Sequence, residues 1–506
     1  MITNNTDEHE NLRRMVVGCL LPGFAGIRVP DWLSRELSGG LAGVCLFGSN
    51  IDSALQLREL TNTIRELHPS AIITLDEEGG DVTRLYYKLG SPYPGNAVLG
   101  RLNDPSITFA SAAAIGHELL RTGCNLNLAP AVDINSNPNN PVIGVRSFGD
   151  DPSLVAKHSS AWIRGIQSTG TAACAKHFPG HGDTAQDSHL ALPTVEAPLS
   201  VLLERELDPF KAAIAARTAT IMTSHIVVPA LDPDNPATFS RIILQDLLRD
   251  HLGFEGVIIT DALDMKGASG DIGIPTAAVR ALAAGADLLC IGSETTGTDF
   301  NQIVAKIVES INTGELSFMR LADAQERVAR IFDHLPKPTH PPEDAPDPSW
   351  ITQAMSPKID YDTIIATFRL NDTARRWLDR CSEPFELYQL ATTANMAVGN
   401  VPWGPASLED NSATPSLTGT THDAADNSNL PSTRARMAFV GRNFHLDPQA
   451  IQRIHELRRQ DLDLIVIEMG WPADDSVADV CTFGASRLLS SALSRLLTNG
   501  LPQRTA

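Results

Sequence analysis

This chain is short of cysteine, of positive charge and of long apolar runs, and each shortage removes a class of protein. Its seven cysteines are odd in number and form no CxxC pair. Cys19, Cys45, Cys174 and Cys290 sit inside apolar runs, so they read as small buried hydrophobes in a reducing compartment rather than as a disulfide framework. The cytoplasm is the expected location. Sixty Asp and Glu against 40 Lys and Arg give a formal charge of -20 and a pI near 5.1, which argues against a nucleic-acid or anionic-membrane partner. No stretch approaches a membrane span, and the apolar run after the polar, acidic Met1–Arg14 is too short for a secretory h-region. No Gly-rich dinucleotide fingerprint follows any candidate strand, and no internal repeat or heptad run is present.

What is present is an alternation of short apolar runs with longer amphipathic stretches. Candidate strands are Met15–Leu21, Gly43–Phe47, Ala71–Leu75, Asn125–Ala129, Thr171–Ala175, Thr218–Thr223, Gly256–Thr260 and Ala286–Ile291. Candidate helices between them include Ser53–Leu67, Ile107–Thr122, Pro152–Thr169 and Ser200–Ala216, with Asp151 and Ser200 as caps. Eight strand–helix alternations predict a (β/α)8 barrel over 1–334, with a doubly wound open sheet as the alternative. Residues 335–350 are rich in proline and read as a semi-rigid linker. Residues 351–506 read as a smaller α/β domain, with a disordered loop over 409–434, where large apolar side chains are almost absent.

On a barrel, chemistry gathers where the strands run out. Five successive candidate strands end in polar residues: Asp76 onward, then Asp133 and Asn135, Lys176-His177, Ser224-His225, and Asp261. The densest stretch is Lys176–His189, which holds one Lys, three His and two Asp in fourteen residues, broken by Pro179, Gly180 and Gly182. So many titratable groups cannot be core without partners. A strand-end carboxylate such as Asp261 can be a nucleophile, a general base or a metal ligand, or merely a cap of the next helix. Asp187 and His189 are two apart, so in an extended segment they face one way and the carboxylate can fix the imidazole tautomer. An imidazole can give and take a proton near neutral pH. A metal reading of His177, His181 and His189 conflicts with the turn residues between them, which break the helical spacing such ligands need. No metal or cofactor is expected. Asp76, Arg146, Lys176 and His177 together suit a ligand rich in hydroxyls, since each buried group left unpaired costs about 1–3 kcal/mol.

These residues also carry a family pattern. Lys176-His-Phe-Pro-Gly-His-Gly182 with Asp187-Ser-His189 resembles the signature of bacterial β-N-acetylglucosaminidases of glycoside hydrolase family 3. Asp76-x-Glu-Gly-Gly80, Asn127–Asp133, Arg146-Ser-Phe-Gly149, Met222–His225 and Thr260–Met265 extend the likeness over the barrel. The resemblance implies a retaining exo-glycosidase acting on cell-wall or chitin-derived fragments, with Asp261 as nucleophile and His189, oriented by Asp187, as acid/base. It implies Asp76, Arg146, Lys176, His177 and His225 around the sugar. A phosphorylase acting on the same linkage and a relative cleaving another β-glycoside, such as a β-glucosidase, are the alternatives. The sequence departs from the pattern at Glu77 and Asp81, which put four acids within Asp76–Asp81. Like charges so close should raise some of their pKa values or demand basic neighbours, and should make that rim acidic.

Overall fold

The computed structural model describes residues 3–184, 192–337, 359–390, 397–408, 422–423, 436–460, 462–472 and 477–502. Asp187 and His189, the linker beyond residue 337 and most of the 409–434 loop lie outside the described residues. By its contacts the chain divides into two units. The first comprises Met1–Glu77, Pro105–Ile134 and Asp150–Met355, the second Glu78–Asp104, Asn135–Gly149 and Ser356–Ala506.

All eight expected strands are present in the first unit. They are β1 (Leu20–Leu21), β2 (Gly43–Cys45), β3 (Ile72–Leu75), β4 (Leu126–Asn127), β5 (Ala172–Phe178) and β6 (Thr220–Thr223), then β9 (Val257–Thr260) and β10 (Leu289–Cys290). A short antiparallel hairpin, β7 (Val227–Val228) and β8 (Asp232–Pro236), is interposed after β6. Strands β2-β3-β4-β5-β6-β9 form one parallel ladder, and β1 pairs in parallel with β10. The Ile259–Leu288 bridge joins β9 to β10, and Cys45 N–H donates to Pro22 O beside β1, so hydrogen bonds pass all the way round. Mostly small or branched side chains fill the interior, among them Ala172, Cys174, Ala219, Ile259 and Cys290, with the unbranched Met222. Both faces of such strands are covered, which is why they read as continuous apolar runs rather than as alternating ones.

Two local expectations are corrected. Met15–Val17 is not strand; it closes the helix Thr3–Val17, and the chain turns at Gly18 before β1. A short apolar run does not distinguish the two by period. The stretch Ser200–Ala216 is not one regular helix but Leu199–Val201, a π-turn at Leu202–Glu206 and a helix at Asp208–Ala215. Pro209 has no amide to donate to the preceding turn, which forces the interruption. Pro198, not Ser200, takes the N-cap position. Asp151 does cap its helix, accepting from Leu154 N at 2.7 Å.

Away from the rim, the fully buried Asp287 accepts from Ile258 N at 2.9 Å and pairs with Arg249 and Arg320. A buried carboxylate so matched ties outer helices to the barrel wall. The second unit is a six-stranded sheet in the order β11 (Arg369–Leu370), β16 (Val480–Cys481), β15 (Asp463–Glu468), β14 (Arg436–Gly441), β12 (Glu386–Gln389) and β13 (His422–Asp423). Only the β11–β16 pair is antiparallel. Its core joins Val440, Ile465, Ile467, Trp377 and Leu493 with Ala97 and Val98 from the early segment. No described helix is long and apolar enough to cross a membrane.

Candidate active site

β5 runs three residues beyond the apolar stretch that ends at Ala175, and this delivers Lys176 and His177 to the rim. Lys176 Nζ donates to Asp76 Oδ1 at 2.7 Å, with 3% of the lysine side chain and 17% of the aspartate exposed. A charged pair this dry holds both groups in one geometry. His177 Nδ1 lies 2.7 Å from Asp133 Oδ2, and the other oxygen of Asp133 accepts the amides of His177 at 3.2 Å and His181 at 2.7 Å. Burial pushes the Asp133 carboxyl up, but the His177 imidazole and the His181 amide outweigh it and hold the group below its usual range. An ionised Asp133 fixes the ring proton of His177 on Nδ1 and makes Nε2 the basic nitrogen.

The turn that follows is sterically specified. A Cβ on Gly182 would stand 1.6 Å from Ile134 O, and Gly180 has a φ of +129°. Those two glycines let the chain fold back against the segment that follows β4, at Ile134. His181 is tied down as well, with its Nδ1 2.9 Å from Thr184 Oγ1.

Asp261 follows β9 directly and is half-buried. Its amide donates to Thr223 O at 3.3 Å and its Oδ1 accepts from Ala262 N at 2.8 Å. His225 has its ring nitrogens 2.8 Å from Thr238 Oγ1 and 3.0 Å from Ala262 O. His225 thus braces the backbone beside Asp261, a role the sequence did not disclose. The Cys174 thiol beneath this rim is pushed up to about 12 by burial.

Arg146 lies in the second unit, where Nε and Nη2 grip Glu78 at 3.0 and 2.8 Å. There too, burial raises Asp81, opposed by Arg442 and by the amides of Ala485 and Ser486. Three of the four crowded acids thus have a basic neighbour: Lys176 for Asp76, Arg146 for Glu78 and Arg442 for Asp81.

The Asp133 bonds carry a pH dependence. Its folded pKa lies below the ordinary 3.8, so its contribution to stability is present above that value and is lost as pH falls through the depressed one. Asp133→Asn should therefore be destabilising at neutral pH, by about 1–3 kcal/mol. Urea midpoints should show this gap at pH 7 and a narrower one in acid; a gap independent of pH would contradict the assignment.

A closed ring of eight parallel strands with carboxylate, lysine and histidine groups gathered at the strand ends is the arrangement of a catalytic (β/α)8 barrel. Residues 28–331 match the glycosyl hydrolase family 3 N-terminal domain, and the chain belongs to that family of glycoside hydrolases. It is 36% identical over 336 residues to β-hexosaminidase A of Pseudoalteromonas piscicida, a match covering 61% of this chain and 56% of that protein. A β-hexosaminidase of Neisseria meningitidis is 38% identical over 283 residues, covering 54% of this chain and 78% of the other. The solved family 3 β-N-acetylglucosaminidase of Paenibacillus sp. FPU-7 superposes with a TM-score of 0.83 at 27% identity, covering 97% of each chain. A Neisseria gonorrhoeae structure in complex with N-trifluoroacetyl-D-glucosamine matches at a TM-score of 0.50 and 30% identity, over 62% of this chain and 97% of that one.

Proposed function

We propose that the protein is a retaining exo-β-N-acetylglucosaminidase that removes the non-reducing-end sugar from cell-wall or chitin-derived fragments. The observation that carries this reading is the fixed placement of Asp261 at the end of β9, on the rim that bears the Asp76–Lys176 pair. The names of the relatives, and the amino-sugar ligand in the Neisseria gonorrhoeae structure, support the choice of sugar.

In this reading Asp261 attacks the anomeric carbon, and His189, oriented by Asp187, protonates the departing glycosidic oxygen. The covalent glycosyl-enzyme is then opened by water, whose proton returns to His189, and the anomeric configuration is retained. Asp76, Lys176 and His177 hold sugar hydroxyls. Each partner is pre-set by a buried bond, so little ordering remains to be done when sugar arrives.

The test is a panel of 4-nitrophenyl β-glycosides assayed in phosphate buffer with product analysis. The expected result is preference for the N-acetylglucosaminide and release of free β-N-acetylglucosamine. Preference for the glucoside would overturn the assignment, and N-acetylglucosamine 1-phosphate as product would replace hydrolysis by phosphorolysis.

A further inference from the structure

Beneath the turn after β5 lies a carboxyl group that the chemistry above does not use. Glu206 closes the π-turn Leu202–Glu206 and is 1% exposed. Such turns recur at functional sites. Its Oε1 accepts from Arg205 Nε at 2.6 Å, and Arg205 Nη2 reaches on to Asp183 Oδ2 at 2.7 Å. Its Oε2 is buried and has no hydrogen-bond partner among the described residues. That oxygen stands 3.0 Å from where a Cβ on Gly180 would be, so the turn backbone rests directly on the carboxyl. Burial first, and then Asp133 and Asp183 against the pull of Arg205, raise the group to about 7. As simple filling, a half-satisfied buried acid is a poor choice, because an apolar side chain of similar size avoids the desolvation cost.

We propose that Glu206 is a positioning residue for the reaction: with Arg205 and Asp183 it fixes the Gly180–Thr184 turn, from which the chain runs on to Asp187 and His189. The proposal rests on the acid/base role given to His189 above. A glycoside with a poor leaving group needs protonation as it departs, whereas a dinitrophenyl glycoside does not. Misplacing the acid therefore slows one substrate and spares the other.

The experiment compares kcat/KM for the phenyl and 2,4-dinitrophenyl β-N-acetylglucosaminides in wild type, Glu206→Gln, Asp183→Asn and His189→Ala. Glu206→Gln should lose roughly tenfold to a hundredfold on the phenyl substrate. On the dinitrophenyl substrate it should stay within about twofold. Equal losses on both substrates, or none, would show a merely structural group and overturn the proposal. Asp183→Asn alters the less buried end of the same relay; it should reproduce the pattern in milder form and carries the test if Glu206→Gln does not fold. If His189→Ala shows no leaving-group dependence, the acid/base reading itself fails and takes the proposal with it. A dependence in His189→Ala that is missing in Glu206→Gln refutes the proposal alone.

Discussion

Asp261→Ala should lower kcat/KM for any β-N-acetylglucosaminide by about 10⁴-fold while leaving the fold intact. The variant gives up the bond from Ala262 N to the carboxylate, but the backbone keeps its bonds to Thr223 O and between His225 and Ala262 O. The side chain is half-buried, so its loss opens no sealed cavity in the core. Thermal melting should therefore move little, which separates a chemical loss from a folding one. Added azide supplies the missing nucleophile from solution, and it enters from the face Asp261 occupied. The product should be an α-glycosyl azide, opposite in configuration to the sugar that wild type releases. Activity in Asp261→Ala near that of wild type, or a β-glycosyl azide, would remove the nucleophile from this position.

Lys176→Met is expected to have the second-largest effect, on stability as well as on substrate binding. The pair with Asp76 is almost dry, and the variant leaves a carboxylate there without its cation. Breaking a buried pair on one side costs about 3–5 kcal/mol, whereas removing both charges is often close to neutral. Urea unfolding should show the loss in Lys176→Met and its partial recovery in the Asp76→Asn, Lys176→Met double variant. KM should stay high in both, because neither restores the groups offered to the sugar. A single variant that unfolds at the wild-type midpoint would mean that the pair is more solvated than its geometry indicates.

Much of this architecture could be read along the chain, for identifiable reasons. Strands such as Gly256–Thr260 are buried on both faces, so their apolar runs survive intact in the sequence and their polar terminators stand out. Asp76, Lys176, His177 and Asp261 were visible for that reason. Their partners were harder to find. Asp133 was legible as a strand-end acid, but nothing local shows that it holds two separate residues of the β5 loop. Glu206 left one trace: it falls three residues after Leu203 and four before Phe210, on the apolar stripe of its segment. A charge on that stripe is out of place in a surface helix. The break at Leu202–Glu206 was signalled only by Pro209. The role of His225 depends on Thr238, which follows a hairpin whose Asp-Pro-Asp-Asn-Pro sequence does not look like strand.

The make-up of the second unit bears on how this gene can be cut. Its hydrophobic centre draws Ala97 and Val98 from the first fifth of the chain and Leu489, Leu493 and Leu497 from the last. A version stopped at the proline-rich stretch would retain Glu78–Asp104 and Asn135–Gly149 yet lack the sheet they are built into. The C-terminal part is therefore no detachable cassette. Cutting it away leaves those two early segments without the core they help to build.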